Sequence, residues 1–371
     1  MADVISGWTG IPVGKMLTND IETVLNLKEK LEERIIGQSD ALDAITRRIQ
    51  TYRANLDDPG KPVGVFLLAG PSGVGKTETA VALSDILYGG DRNMIVINMS
   101  EYQESYTVSG LKGSPPGYTG YGKGGVLTEA VRHRPYSVVL LDEAEKAHPD
   151  VMELFYQVFD KGRLDDAEGV SVDFRNTMIL LTSNAGADTI SDSRKLPDAR
   201  TLSEMIKPEL LKYFKPALLG RLMVIPYYPL SDEAIRRIVR LKLKKIQQRF
   251  LENHRINLTY NDDLVMVIAS RCLESDAGAR VIDQLLTHSL LPELSGELLR
   301  RMALGKNCTA IYVYSDRGHR FGYRFYSSED EEIEAESPNF GTPSFLSKTE
   351  ENPEKLSEKP FGWFRQLWGR S

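Results

Sequence analysis

Eight residues constrain this chain more than any others: Gly70-Pro71-Ser72-Gly73-Val74-Gly75-Lys76-Thr77. An apolar run from Val63 to Leu68 precedes them and reads as a buried strand, and Glu78 to Tyr88 follows as a helix. Strand, glycine-rich loop and helix in that order form the setting of a phosphate-binding loop. Glycines without a Cβ let the backbone curl so that its N–H groups converge on phosphate oxygens. The helix N-terminus adds its dipole. Pro71, Ser72, Gly73, Val74, Gly75, Lys76 and Thr77 are therefore the expected nucleotide-binding residues. Lys76 is expected to reach the β- and γ-phosphates, and the Thr77 hydroxyl to ligate Mg²⁺. The ligand expected is a nucleoside triphosphate.

About 65 residues further on, Val138-Val139-Leu140-Leu141 ends in Asp142-Glu143. An apolar strand ending in two acids is common alone, but at this distance from a phosphate loop it completes a site. The strand is expected to lie directly beside the first, bringing its end to the phosphates. Asp142 would then hold Mg²⁺ together with Thr77, and Glu143 would polarise the attacking water. A third apolar strand ends in Thr182-Ser183-Asn184, where Asn184 is expected to orient that water or touch the γ-phosphate.

The 371 residues allow two domains with additions. A net charge of -6 and a pI near 5.6 argue against a nucleic-acid partner held by phosphate contacts. Cys272 and Cys308 lack metal-ligand spacing and read as free thiols of a reducing cytoplasm. The N-terminus has no basic or long apolar stretch and no segment approaches 18 apolar residues, so neither a signal peptide nor membrane insertion is expected.

Along the chain, residues 1–19 read as a linker segment. A helix is expected from Ile21 to about Glu33 with Ile21, Val24, Leu25 and Leu31 near one face, then another burying Ala41, Ile45, Ile49 and Tyr52. Strands and helices alternate through residue 230, which predicts an α/β domain with a parallel sheet flanked by helices. Arg163 to Phe174 reads as a polar hairpin. Residues 231–315 read as a small, mainly helical lid. Its basic run, Arg236, Arg237, Arg240, Lys242, Lys244 and Lys245, reads as a solvated helix face. Residues 316–371 read as a disordered acidic tail, ending in an aromatic cluster from Phe361 to Trp368 that would dock on a partner or a neighbouring subunit.

Four longer stretches carry a resemblance: Ser6-Gly7-Trp8-Thr9-Gly10-Ile11-Pro12, Ile36-Gly37-Gln38, Gly113 to Tyr121, and Leu140 to Pro149. Over Val4 to Tyr314 the chain resembles an AAA+ ATPase, specifically the second ATPase domain of the Clp unfoldases. Asn98 to Glu104, Leu111 to Ser114 and Gln157 to Gly162 are most similar to the ClpV branch of type VI secretion, with the ClpB branch next. The resemblance implies that Ile35 and Ile36 pack on adenine and that Arg221 is an arginine finger reaching a neighbour's γ-phosphate. It further implies that Arg280 is a sensor arginine opening a lid helix, and that Tyr118 is the polypeptide-gripping residue of a pore loop. The hairpin around Asp165 to Gly169 would be a second pore loop.

The same resemblance implies a homo-oligomeric ring, a hexamer, that threads polypeptide through its pore, with contracted secretion-sheath subunits as substrate. No Ile/Leu-Gly-Phe tripeptide occurs, so no peptidase partner is expected. The relatives also carry an N-terminal substrate domain, a first ATPase ring and a coiled-coil middle domain that this sequence lacks, which makes it a fragment or a stand-alone single ring. A ClpB-like disaggregase domain, an AAA+ switch acting on nucleic acid, and an assembly module inactive without its other ring are the alternatives.

Overall fold

The computed structural model describes residues 19–114, 116–117, 122, 124–191, 197–273, 278–315, 320–327 and 332–334. Tyr118, residues 1–18 and residues 335–371, on which expectations were placed, lie outside them.

The segment between residues 64 and 226 forms a series of short strands. In chain order these are β1 (Gly64–Ala69), β2 (Met94–Asn98), β3 (Val138–Asp142), the hairpin β4 (Arg163–Asp165) and β5 (Ser171–Asp173), β6 (Met178–Ser183) and β7 (Met223–Pro226). Strands β2, β3, β6, β1 and β7 lie in that order in one parallel sheet. On one face Phe66, Leu68, Leu140 and Leu180 pack with Leu42 and Ile45 of the helix Ser39–Arg53. On the other, Leu67, Leu141 and Leu181 pack with Val151 and Phe155 of the helix Pro149–Lys161. Burial on both sides is why β1, β3 and β6 read as unbroken apolar runs without polar alternation.

The strand order corrects one expectation. β3 is not beside β1; β6 lies between them, with Val65 opposite Ile179 and Val139 opposite Ile179 on the far side. All six residues of β6 are buried, which suits an inner position. The ends of β1, β6 and β3 therefore stand side by side, and Asn184 falls between the phosphate loop and Asp142. β7 was not foreseen: it has four residues, opens on an exposed Met223 and ends on Pro226, the composition of an edge strand.

The expected first helix is two, Asn19–Leu25 and Leu27–Glu32, separated at Asn26. Val24, Leu27 and Leu31 are the buried positions, and Ile21 and Leu25 are exposed.

After β7, the Ser231 side chain accepts the Ala234 N–H and caps the helix Asp232–His254. Helices Asp262–Leu273, Arg280–Leu285 and Leu291–Ala303 follow, the last two joined through a π-helical turn at Leu286–Leu290. They pack with a small sheet of β8 (Asn257–Tyr260), β9 (Ala310–Ser315), β10 (Phe321–Tyr326) and β11 (Glu332–Glu334). β10 falls inside the stretch expected to be disordered; it pairs antiparallel with β9, buries Phe325 and receives Arg301 over that ring at 4.5 Å. No helix among the described residues is long and apolar enough to cross a membrane.

Candidate nucleotide site

The phosphate loop meets its helix, Lys76–Tyr88, through Gly75, whose φ of +105° needs a residue without a side chain. Gly73 is likewise left-handed at +71°. No side chain caps this helix, so the N–H groups of its first turn are free for an anionic ligand. Lys76 is buried, and its Nζ donates to the carbonyls of Gly70 (2.5 Å) and Pro71 (2.8 Å) and to Asn184 Oδ1 (2.9 Å). Burial lowers its ammonium to about 8, opposed by the carboxylates of Glu145, Asp142 and Glu143 and assisted by the nearby Arg280 charge.

Across the cavity the two acids are held by one hydroxyl. Thr182 Oγ1 donates to Asp142 Oδ1 at 2.5 Å and accepts the Glu143 N–H at 3.0 Å. Glu143 adopts a left-handed conformation, φ +56° and ψ +49°, unusual for a residue with a side chain and found where a site imposes it. Its Oε2 accepts from Lys146 Nζ at 2.7 Å. One carboxylate with one hydroxyl, Asp142 with Thr77, is a donor set that suits Mg²⁺ shared with phosphates and water.

The lid docks on the loop through backbone. Ala279 N–H donates to Gly73 O at 3.1 Å, and a Cβ on Gly278 would stand 2.8 Å from Ser72 O. This contact sets Arg280, at the start of its helix, on the wall of a cavity of about 370 Å³. Ile35, Ile36, Leu230, Ile238 and Leu241 form an apolar end of that cavity. Arg34, paired with Glu78 and Asp85 of the loop's own helix, ties this wall to it.

Among the expected site residues, Ile35, Ile36, Ser72, Gly73, Val74, Gly75, Lys76, Thr77, Asp142, Glu143, Asn184 and Arg280 all line this cavity. Pro71 does not; it contributes only its carbonyl, to Lys76. Arg221 is away from the cavity, on the surface beside Asp160. Lys242 and Lys245 also line the cavity; Lys245 is exposed, as expected of a solvated face, while Lys242 is partly buried and pairs with Asp283.

Two residues quoted in the sequence had been given no role. Gln38 is fully buried; its Nε2 donates to Tyr228 O at 2.8 Å and Val74 O at 3.3 Å, and its Oε1 accepts Tyr228 N–H at 3.0 Å. It clamps the apolar wall to the loop and to the chain entering the lid. Thr182 is the other. A hydroxyl inside an apolar run was its only signal.

Residues 61–225 match the family model of an AAA domain (Cdc48 subfamily), and residues 230–311 that of the C-terminal, D2-small domain of ClpB protein. The AAA+ ATPase ClpV1 of Pseudomonas aeruginosa is 55% identical over 333 residues, covering 89% of this chain and 37% of its own. The chaperone protein ClpB of Yersinia enterocolitica is 54% identical over 304 residues, 81% of this chain and 34% of its own. ClpB of Corynebacterium diphtheriae is 44% identical over 300 residues, again 81% and 34%. The chain thus spans about a third of the length of these relatives. A phosphate-loop sheet followed by a lid matched to the small domain of ClpB makes this chain a member of the AAA+ ATPase family, of the C-terminal ATPase type found in ClpV and ClpB.

Proposed function

We propose that this chain is an ATP-hydrolysing motor that works in a homo-hexameric ring and remodels protein by threading it through the central pore. What most supports this is one cavity faced by Lys76, Thr77, Asp142, Glu143, Asn184 and Arg280 together. In this scheme the large domain spans 20–230 and the lid 231–315, with ATP between them. Ile35 and Ile36 bind the base, and the Ser72 to Gly75 backbone and Lys76 bind the phosphates. Thr77 and Asp142 would hold Mg²⁺, whose charge would offset that of the transferred phosphoryl group. Glu143 takes a proton from the attacking water, which Asn184 orients. Arg280 couples nucleotide state to lid position, and Arg221 serves the site of the neighbouring copy.

Tyr118 grips the polypeptide. The resemblance to the ClpV branch makes contracted secretion-sheath subunits the substrate to test first, in the cytoplasm; identities of 55% to ClpV1 and 54% to a ClpB leave a ClpB-like disaggregase as the competing choice. Neither a peptidase nor nucleic acid is part of the scheme.

Glu143→Gln tests it. The variant should bind ATP as the parent does and hydrolyse it about 10² to 10⁴ times more slowly. Light scattering should show its mass rising from one copy towards six when ATP and Mg²⁺ are added. Unchanged turnover removes Glu143 from the mechanism.

A further inference from the structure

Glu145 does not line the cavity, and the scheme above gives it no task. It stands on the short turn Ala144–Lys146 that follows β3. Its Oε1 accepts the backbone N–H of Asn184 at 3.0 Å, joining the ends of β3 and β6. Its Oε2 is buried and has no hydrogen-bond partner among the described residues, and no cation there pairs with it. A carboxylate kept half-buried without an ion pair costs stability. It is placed for something other than a surface salt bridge.

The Asn184 peptide is where that placement acts. The Ser183–Asn184 peptide is tied to β1 on one side, where Gly70 N–H donates to Ser183 O at 3.1 Å, and Glu145 supplies the tie on the β3 side. Anchoring the Asn184 N–H fixes the direction of its side chain, and that side chain is the one that accepts from Lys76 Nζ at 2.9 Å. The line Glu145, Asn184, Lys76 runs from behind the site to the phosphate loop.

We propose that Glu145 is the positioning residue for Asn184: its carboxylate, carried by β3, fixes the last peptide of β6 so that the Asn184 carboxamide faces Lys76 and the phosphate end of the site. The kinetic consequence rests on the ATPase reading; the positioning itself does not. Glu145 is also foremost among the acids that favour the charged form of Lys76 against burial.

The test uses the whole chain with Glu145→Ala and Glu145→Gln, the second keeping an acceptor oxygen. Amide exchange at Asn184, followed by NMR without nucleotide, should quicken about tenfold in Glu145→Ala and stay near the parent rate in Glu145→Gln. In ATP turnover, Glu145→Ala should lower kcat about tenfold with KM within about twofold, and Glu145→Gln should restore most of it. The double variant Glu145→Ala/Asn184→Ala should be no slower than Asn184→Ala alone.

Unchanged exchange at Asn184 overturns the proposal, as does an additive double variant. So does a Glu145→Gln chain with protected Asn184 exchange and lost turnover, because charge rather than positioning would then be the cause. If the parent itself hydrolyses no ATP, the ATPase reading falls while the exchange measurement still decides the positioning. If Glu145→Ala does not fold, exchange at Asn184 in Glu145→Gln decides it: parent-like protection supports the proposal and loss of protection overturns it.

Discussion

Arg221 donates from Nε to both carboxylate oxygens of Asp160, at 2.7 and 2.8 Å. Its guanidinium also lies over the Tyr156 ring, 5.4 Å from the centroid, and Nη1 reaches Ala217 O at 2.6 Å. Tyr156 and Asp160 are one turn apart on the helix Pro149–Lys161, so they present a single cradle. The pair is exposed, and an exposed pair is worth about 0–1 kcal/mol. Arg221 is thus oriented at the surface at a strength that a phosphate could readily overcome.

The first prediction is that Arg221→Ala leaves nucleotide affinity within about twofold and lowers turnover about 10³-fold or more, the range for an arginine finger. Mixing decides whether it acts between copies. Arg221→Ala retains its own Glu143, and Glu143→Gln retains its own Arg221. Each is inactive alone, so a mixture of the two should regain turnover where a Glu143→Gln neighbour supplies the arginine. A mixture as inactive as its components would refute action in trans.

The second concerns pH. Lys76 titrates at about 8 in the folded chain against 10.5 when unperturbed. Between those values the unfolded chain holds a proton that the folded chain has lost, so the contribution of Lys76 to stability rises with pH across that interval. Nucleotide binding runs the other way, because phosphates favour the ammonium. Above about pH 8 the affinity for ATP should fall by up to about tenfold per pH unit, with proton uptake on binding. Titrations with a fluorescent nucleotide in EDTA, from pH 8 to 9.5, check this; a flat profile would contradict it.

How much of this was legible follows from where the information lies. Gly70 to Thr77, Asp142-Glu143 and Asn184 each sit at the end of an apolar run and announce themselves locally. Strand order does not: β1, β3 and β6 are all buried on both faces, and nothing in an unbroken apolar run names its neighbour. Gln38 was invisible for another reason, since its partner Tyr228 is 190 positions away. Lys245 is exposed, as its charge suggests, whereas the pairing of Lys242 with Asp283, 41 positions on, has no local signal. β10 was lost in the composition of the acidic stretch behind it, although Phe321, Tyr323 and Phe325 alternate as strand residues do.

Gly278→Ala is the third prediction. Gly278 has φ +58° and lies so close to the phosphate loop that an added Cβ would sit 2.8 Å from Ser72 O and 3.2 Å from the Gly73 carbonyl carbon. Backbone cannot yield as a flexible side chain would. The left-handed conformation alone costs about 1–3 kcal/mol for a residue with a side chain. The added methyl should push Ala279 off Gly73 O and swing Arg280 from the cavity. ATP affinity should fall about tenfold or more, with little change in the melting of the parallel sheet. Parent-like affinity would mean that the lid contact is incidental.

The fourth is Thr182→Val, which removes a hydroxyl at nearly constant shape. Among the described residues, Thr182 Oγ1 is the one side-chain atom bonded to both acids, donating to the Asp142 carboxylate and accepting the Glu143 N–H. Valine leaves Glu143 N–H without its acceptor and Asp142 free to rotate, and an unsatisfied group of this kind costs about 1–3 kcal/mol where water cannot reach it. That loss falls on the two residues whose geometry the hydrolysis step requires, while the phosphate loop and the Ile35 and Ile36 wall are untouched. Turnover should drop about 10- to 100-fold and the Mg²⁺ concentration for half-maximal rate should rise, with ATP binding in EDTA unchanged. Thr182→Ser, which keeps the hydroxyl, should recover most of the activity. If Thr182→Val and Thr182→Ser behave alike, packing of β6 matters and the hydroxyl does not.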